Sequence, residues 1–227
     1  MARNFTVEQL IDRVRKRGDF PNTEKPSDDD IIAWLSASYG WLYALLCDAG
    51  HWPAWTEDGV AADGGKDYAL DADYFRTVRV DHEVSTGCFR PLRLITENEL
   101  HRFERPNAGR ASGYMIQGEN LILLPAPPSG QTYRHIFIPA PADLTTIADT
   151  VDGVAGWEEL LVIDAAIKAR IAEETDTSDL MQERAMYLSR IEHERNQRMV
   201  TGTGRVIGAF EEESSWDDDP NSRGSWE

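Results

Sequence analysis

The sequence predicts an α+β protein with a helical bundle core, an inserted small antiparallel β domain and an extended C-terminal tail. Three observations carry this prediction. Apolar residues recur at helical spacing before residue 50 and in 156–199, they alternate with the period of strands in 66–140, and periodicity stops after Met199. We divide the chain into N-terminal core helices (1–65), a β-rich insertion (66–144), a helical hairpin completing the core (145–199) and an acidic tail (200–227).

The first predicted helix begins after Thr6, which forms a capping box with Gln9. An apolar stripe follows and ends near Gly18. The basic run from Arg13 to Arg17 could be a nucleic-acid patch or the solvated end of a surface helix. We favour the solvated end, because several cations in two turns are ordinary for a surface helix.

The second predicted helix is capped by Ser27 and opens with three aspartates, which complement the helix dipole. Metal binding by these aspartates is the alternative. The helix carries a broad apolar face with two tryptophans. Behind that face lies a side of small residues, consisting of Ala33, Ser36, Ala37, Gly40 and Ala44.

Short alternating apolar runs follow a turn-rich stretch at 51–66 and predict a small antiparallel sheet. The runs cover 75–80, 88–95, 114–116, 120–124 and 133–138. A hairpin turn is expected at Gly118–Asn120, and a short helical turn from Thr96 through Phe103. Two proline-rich segments, 125–130 and 139–144, stiffen the exits from this sheet.

The predicted helical hairpin pairs a helix that begins at Glu158 with a second helix after the turn 175–178. The first of these helices is apolar on two sides, so we expect it to lie between two neighbours. Its alanine side, with Ala165 and Ala169, allows close packing and is expected to meet the small side around Gly40. Replacing Gly40 and Ala165 by Leu is then expected to be strongly destabilising.

Composition excludes several classes of function. The 227 residues carry a formal net charge of −17, which argues against direct nucleic-acid binding because phosphate contacts require clustered Lys and Arg. Cys47 and Cys88 make neither a disulfide framework nor a metal motif, which favours a reducing compartment. No secretion signal is recognisable, and no window approaches the ~20 apolar residues of a membrane span.

Motifs for chemistry are weak. Gly202, Gly204 and Gly208 miss the dinucleotide-binding spacing, and the five histidines lack zinc spacing. Asp71 and Asp73 could work as an acid–base pair, but such pairs arise by chance among 40 acidic residues. We therefore predict no enzyme activity, no cofactor and no metal.

The tail combines acidic and large apolar residues. Residues 211–227 hold seven acids and one arginine, a net charge of −6. Such a segment cannot build a core of its own, so we expect an extended arm whose apolar groups are covered by a partner. The alternative is a terminus without a role. The candidate docking residues are Arg205, Val206, Ile207, Phe210, Trp216 and Trp226.

The order of these parts resembles the head-to-tail adaptor, or head completion, proteins of tailed bacteriophages. The resemblance is carried by TVEQLIDRVRKR, DDDIIAWLSASYGWLYAL, ENLILLPAPPSGQTYRHIFIPAP and GWEELLVIDAAIKARIAEE, and it covers most of residues 5–199. The large β insertion and the acidic tail depart from the smaller helical adaptors of that family.

The resemblance implies a structural virion protein at the head–tail junction, assembled in the host cytoplasm. Copies of the chain would form a ring, commonly twelvefold, that contacts the portal protein and the tail or nozzle proteins, with DNA passing unspecifically through the lumen. The C-terminal arm would dock on the portal, and an acidic lumen would let DNA slide. The alternatives are a carboxylate-dependent hydrolase and an oligomeric scaffold unrelated to phages.

Overall fold

The computed structural model describes residues 5–20, 26–51, 55–103, 109–152, 154 and 156–202, the last five without their side chains. In chain order the elements are β1 (Phe5–Thr6), α1 (Val7–Gly18), α2 (Asp28–Asp48), β2 (Thr56–Ala61), β3 (Asp67–Ala69), β4 (Tyr74–Ser85), β5 (Cys88–Pro91), β6 (Arg93–Leu94), a 3-10 helix (Glu97–Arg102), β7 (Gly113–Gln117), β8 (Asn120–Leu124), β9 (Thr132–Pro139), β10 (Thr150–Val151), α3 (Glu158–Ala172) and α4 (Ser178–Gly202).

The described residues fall into two compact units. The helical unit takes its residues from 1–51 and 144–227, and the sheet unit comprises 52–143. In the helical unit, α3 contacts α1, α2 and α4, and the short strands β1 and β10 pair antiparallel. The helix starts follow local chemistry, since Thr6 and Gln9 form the expected capping box and the Ser27 side chain caps α2.

The sheet unit contains two four-stranded sheets with the orders β2-β9-β4-β5 and β3-β8-β7-β6. Strand β8 is buried on both faces, which explains its uninterrupted apolar run LILL. Leu121 and Leu123 join a core shared by the two sheets, while Ile122 and Leu124 pack with residues of the 3-10 helix region. The short helical turn expected after Thr96 is therefore part of the packing.

The predicted fold class needs a correction. A helical bundle core with one small antiparallel sheet is wrong: the described residues form a mixed α+β layout of four α-helices, one 3-10 helix and three sheets, and β6 pairs parallel to β7. Strands of two residues, such as β1 and β10, are too short to show a period of two. Strand β2 lies in the stretch 51–66, for which the sequence predicts turns. The division of the sequence into four parts stays a prediction.

The long helix α2 also requires a correction. By length and composition it could cross a membrane, contrary to the expectation that no window comes near a span, and half of its apolar window is buried inside the chain. A mostly buried core helix passes the same test. Ile31, Leu35 and Leu42 of α2 are fully buried, so the apolar character of this helix serves the core.

One glycine of the sheet unit is required for packing. A Cβ at Gly113, the first residue of β7, would lie 2.9 Å from the carbonyl oxygen of Arg93 and closer still to the Ile95 side chain. We expect Gly113→Ala to lower the free energy of unfolding by about 1–3 kcal/mol, because backbone cannot move aside cheaply. Chemical denaturation measures this. Gly59→Ala in β2, where a Cβ meets nothing within 4 Å, is the control, and equal stability of the two variants would contradict the prediction.

Candidate assembly surface

Helix α3 is enclosed by its neighbours. Its residues from Leu160 to Ile167 are all buried, and Ala165 and Ala169 have no exposed surface. The sequence predicted two apolar sides, and the contacts with α1, α2 and α4 agree with a helix packed between neighbours. The alanines do lie in a closely packed helix, while their role in contacts between subunits stays a prediction.

A buried carboxylate joins three helices. Asp164 of α3 accepts hydrogen bonds from the Ser38 hydroxyl of α2 at 2.6 Å and from the Arg184 guanidinium of α4 at 2.8 Å. Lys168 lies 3.1 Å from the same carboxylate and donates to the Ser38 hydroxyl at 2.7 Å. Sequence reasoning missed this group, although the acid inside the apolar run LLVIDAAI could have indicated it.

The electrostatics of Asp164 favour its charged form. Burial is the largest single influence and opposes the charge, but the Ser38 hydroxyl, Lys168 and Arg184 together outweigh it and lower the pKa of Asp164. The carboxylate is therefore satisfied by three donors at neutral pH. Such a group holds the three helices together.

Two arginines at the basic end of α1 are bound within the chain, while Lys16 between them is exposed, so the predicted solvated helix end is only partly correct. Arg15 is nearly buried and pairs with Asp28 at 2.7 Å. Arg17 forms an ion pair with Glu183 of α4. Arg170 of α3 donates to the carbonyl oxygens of Arg17 and of the glycine after it, at 3.3 and 3.4 Å. These arginines cap and tie α1, because cations complement the C-terminus of a helix.

A second cluster fixes the C-terminal half of α4. His51, after α2, lies 3.1 Å from the Glu194 carboxylate, and Arg190 pairs with the same carboxylate at 3.3 Å. The His51 and Trp157 rings form a T-shaped pair with centroids 6.1 Å apart, and the Arg190 guanidinium lies over the Trp157 ring at 5.2 Å. The helix that leads into the tail is thus anchored to the chain around α2 and α3.

An apolar groove remains open between α3 and α4. Its volume is about 220 Å³. Its lining consists of Asp164, Ile167, Met181, Arg184, Ala185 and Leu188. Met181 is 50% exposed, and Ile171, one helical turn beyond Ile167, is 57% exposed. Arg184 lies 4.8 Å above the ring of Trp41, which is itself 39% exposed. Large apolar side chains grouped in this way are typical of a contact site; we name this feature the α3–α4 groove.

The small side of α2 is placed differently from the prediction. Ala33 and Ala37 are exposed, and a Cβ at Gly40 would meet no atom within 4 Å. This side therefore does not pack tightly on α3, and Ser38, on the neighbouring face, makes the contact with α3 instead. An uncharged face of α2 after its three initial aspartates is formed by Ala33, Ala37, Gly40 and Ala44. We name this surface the α2 outer face. A role for Gly40 in contacts between subunits stays a prediction.

Several charged groups of the sheet unit form ion pairs or turns. Asp81 is 2% exposed and pairs with Arg134 at 2.7 Å, while the Arg134 guanidinium covers the Phe89 ring at 4.1 Å. The candidate pair Asp71 and Asp73 forms a turn, in which the Asp73 amide donates to the Asp71 carboxylate at 2.9 Å. Within the described ranges, no group of three or more His, Cys, Asp or Glu side chains could hold a metal ion.

The candidate docking residues of the tail, from Arg205 to Trp226, lie outside the described residues. Comparison with known proteins covers part of that segment. A sequence model of the family described as "SU10 adaptor protein" matches residues 5–207. No protein with a curated description matches the chain.

Proposed function

Because the chain belongs to the SU10 adaptor protein family, a family of structural phage adaptors, we propose that it forms a ring between the portal and the tail of a bacteriophage. The observation that carries the proposal is the match over residues 5–207, which includes most of the helical unit and the whole sheet unit. The chain is a structural adaptor, and adaptors of this kind are virion components of the head–tail junction. Ring order, portal docking and DNA passage are the proposed steps.

Ring closure requires a heterologous contact, in which one surface of a subunit meets a different surface of the next. The α2 outer face suits one half of such a contact. It is uncharged and at least partly exposed, and its small side chains at Ala33, Ala37 and Gly40 would let a neighbouring helix approach closely. We propose that this face meets a helix of the adjacent subunit. The twelvefold order comes from the resemblance alone.

We assign portal docking to the C-terminal arm, residues 202–226. Val206, Ile207, Phe210, Trp216 and Trp226 supply apolar anchors, and aromatic side chains dominate the energetics of many interfaces. Arg205 supplies a cation near the base of the arm. The arm directly follows α4, whose C-terminal half is fixed by His51 and Trp157. A docked arm would therefore hold the helical unit at a defined position on the portal.

The remaining proposals concern the ring's surroundings. DNA would pass through the lumen without sequence-specific contacts, in keeping with a net charge of −17 that repels phosphate. The tail or nozzle proteins would contact the side of the ring opposite the portal. Assembly would take place in the host cytoplasm before the virion is complete.

The mass of the full-length protein in solution tests this function. We expect the 25.6 kDa chain to be monomeric or weakly associated alone and to form one discrete large complex after the portal of the same phage is added. A full-length variant with Phe210, Trp216 and Trp226 replaced by Ala should lose that complex. Substituting three exposed polar residues of α4, Gln182, Ser189 and Asn196, is the matched control. A monomer that ignores the portal would overturn the proposal.

A further inference from the structure

We propose that the C-terminal arm of the unassembled protein folds back on its own chain and places Trp216 in the α3–α4 groove. The groove offers a volume of about 220 Å³ beside Ile167 and Leu188. An apolar cavity of ~150 Å³ already takes up a benzene ring. The tail cannot build a core that would bury Trp216. The groove offers apolar side chains that would cover this ring, and the ring would fill the groove.

The length of the arm permits this contact within one chain. Helix α4 ends at Gly202, and at 1.5 Å per residue Ala185 of the groove lies about 26 Å back along the helix. Residues 203–215, when extended, span up to roughly 43 Å. Trp216 can therefore reach the groove with slack, whereas Phe210, after about eight residues, could reach it only when the arm is fully stretched.

The charges are complementary. Trp216 is followed directly by three aspartates, 217–219, and preceded by three glutamates, 211–213. Arg184 lines the groove, and Lys168 lies beside it, 3.1 Å from the buried carboxylate of Asp164; the two cationic side chains are 33% and 35% exposed. Two cations against one anion leave this end of the groove positive, and acids beside Trp216 would be attracted to it. An arm with the opposite charge would be repelled.

The contact would control when the arm becomes available. With Trp216 in the groove, the arm covers the exposed surface of Met181 and Ile171 and keeps free chains from associating through it. A portal that binds the arm would withdraw it and expose the groove to a neighbouring subunit. The groove contact is independent of any portal, and only its release rests on the function proposed above.

Disulfide trapping in the full-length chain tests the contact. In a Cys88→Ser background, which removes the exposed native thiol, the substitutions Ala185→Cys and Ser215→Cys place one thiol on the groove wall and one beside Trp216. The control pair is Met186→Cys with Ser215→Cys, since Met186 follows Ala185 directly, is 69% exposed and lies about 100° around α4 from it, on the side away from the groove. Mild oxidation and non-reducing electrophoresis give the rates of disulfide formation within one chain.

We expect the groove pair to close at least tenfold faster than the control pair, and Trp216→Ala to abolish that difference. Equal rates for the two pairs would overturn the proposal. Disulfides formed mainly between chains would overturn it as well, because they would assign the groove to another copy's arm. Added portal should slow the groove pair, and a portal that leaves the rate unchanged contradicts the proposed function while the groove contact stands.

Discussion

Replacing Asp164 by Ala is expected to lower the free energy of unfolding by about 3 kcal/mol, because removing one partner from a buried ion pair leaves the other charges uncompensated. Ser38, Lys168 and Arg184 would all lose the acceptor they share, and these residues come from three different helices. Urea denaturation of the two proteins measures the difference.

The control is Asp179→Ala. Asp179 also pairs with an arginine, Arg170, at 2.7 Å, but its side chain is 64% exposed. Exposed ion pairs contribute about 0–1 kcal/mol, so this variant should stay close to wild type. If Asp164→Ala were as stable as Asp179→Ala, the carboxylate would not hold the three helices together.

The same carboxylate gives stability a pH dependence of known sign. The pKa of Asp164 is lowered in the folded state, so its contribution is present above the pKa of the unfolded chain and is lost as pH falls through the folded pKa. The stability difference between wild type and Asp164→Asn should therefore shrink as pH is lowered from about 6 to 3. A difference independent of pH would mean that Asp164 is not charged in the fold.

Local chemistry made several elements predictable. The capping box of Thr6 and Gln9, the Ser27 cap of α2 and the turn before Asn120 are encoded by neighbouring residues, and the structure confirms each of them. The alternation in β4 and the short apolar runs in β8 and β9 likewise placed strands, since each pattern extends over five residues or more. The family match over residues 5–207 agrees with the resemblance drawn from the order of these parts.

Pairing over long distances was not predictable. Nothing in FT or TV indicates that β1 and β10 pair across more than 140 residues, or that the insertion forms two sheets. The sequence predicts a solvated basic run in α1, because the partner of Arg17, Glu183, lies far along the chain. The candidate surface was predictable only in part: periodicity showed that α2 has a small side, but only the fold shows that this side faces outward.

The outward position of Gly40 and the enclosed position of Ala165 predict opposite results for the same substitution. Ala165→Leu should destabilise the chain by about 3 kcal/mol, since α3 is surrounded by helices and Ala165 has no exposed surface. Gly40→Leu should leave stability unchanged or raise it by up to about 0.8 kcal/mol, because Leu favours a helix more than Gly and a Cβ there meets nothing.

Assembly separates the two residues further. If the α2 outer face is a contact between subunits, Gly40→Leu should fold normally and still fail to form the complex with the portal, because a larger side chain holds the neighbouring helix away. Gly59→Ala, on an exposed strand of the sheet unit, is the control that should assemble as wild type does. A Gly40→Leu protein that melts and assembles as wild type does would show that the α2 outer face is not a contact between subunits. A Gly40→Leu protein that fails to fold would show that Gly40 is packed in the core of its own chain.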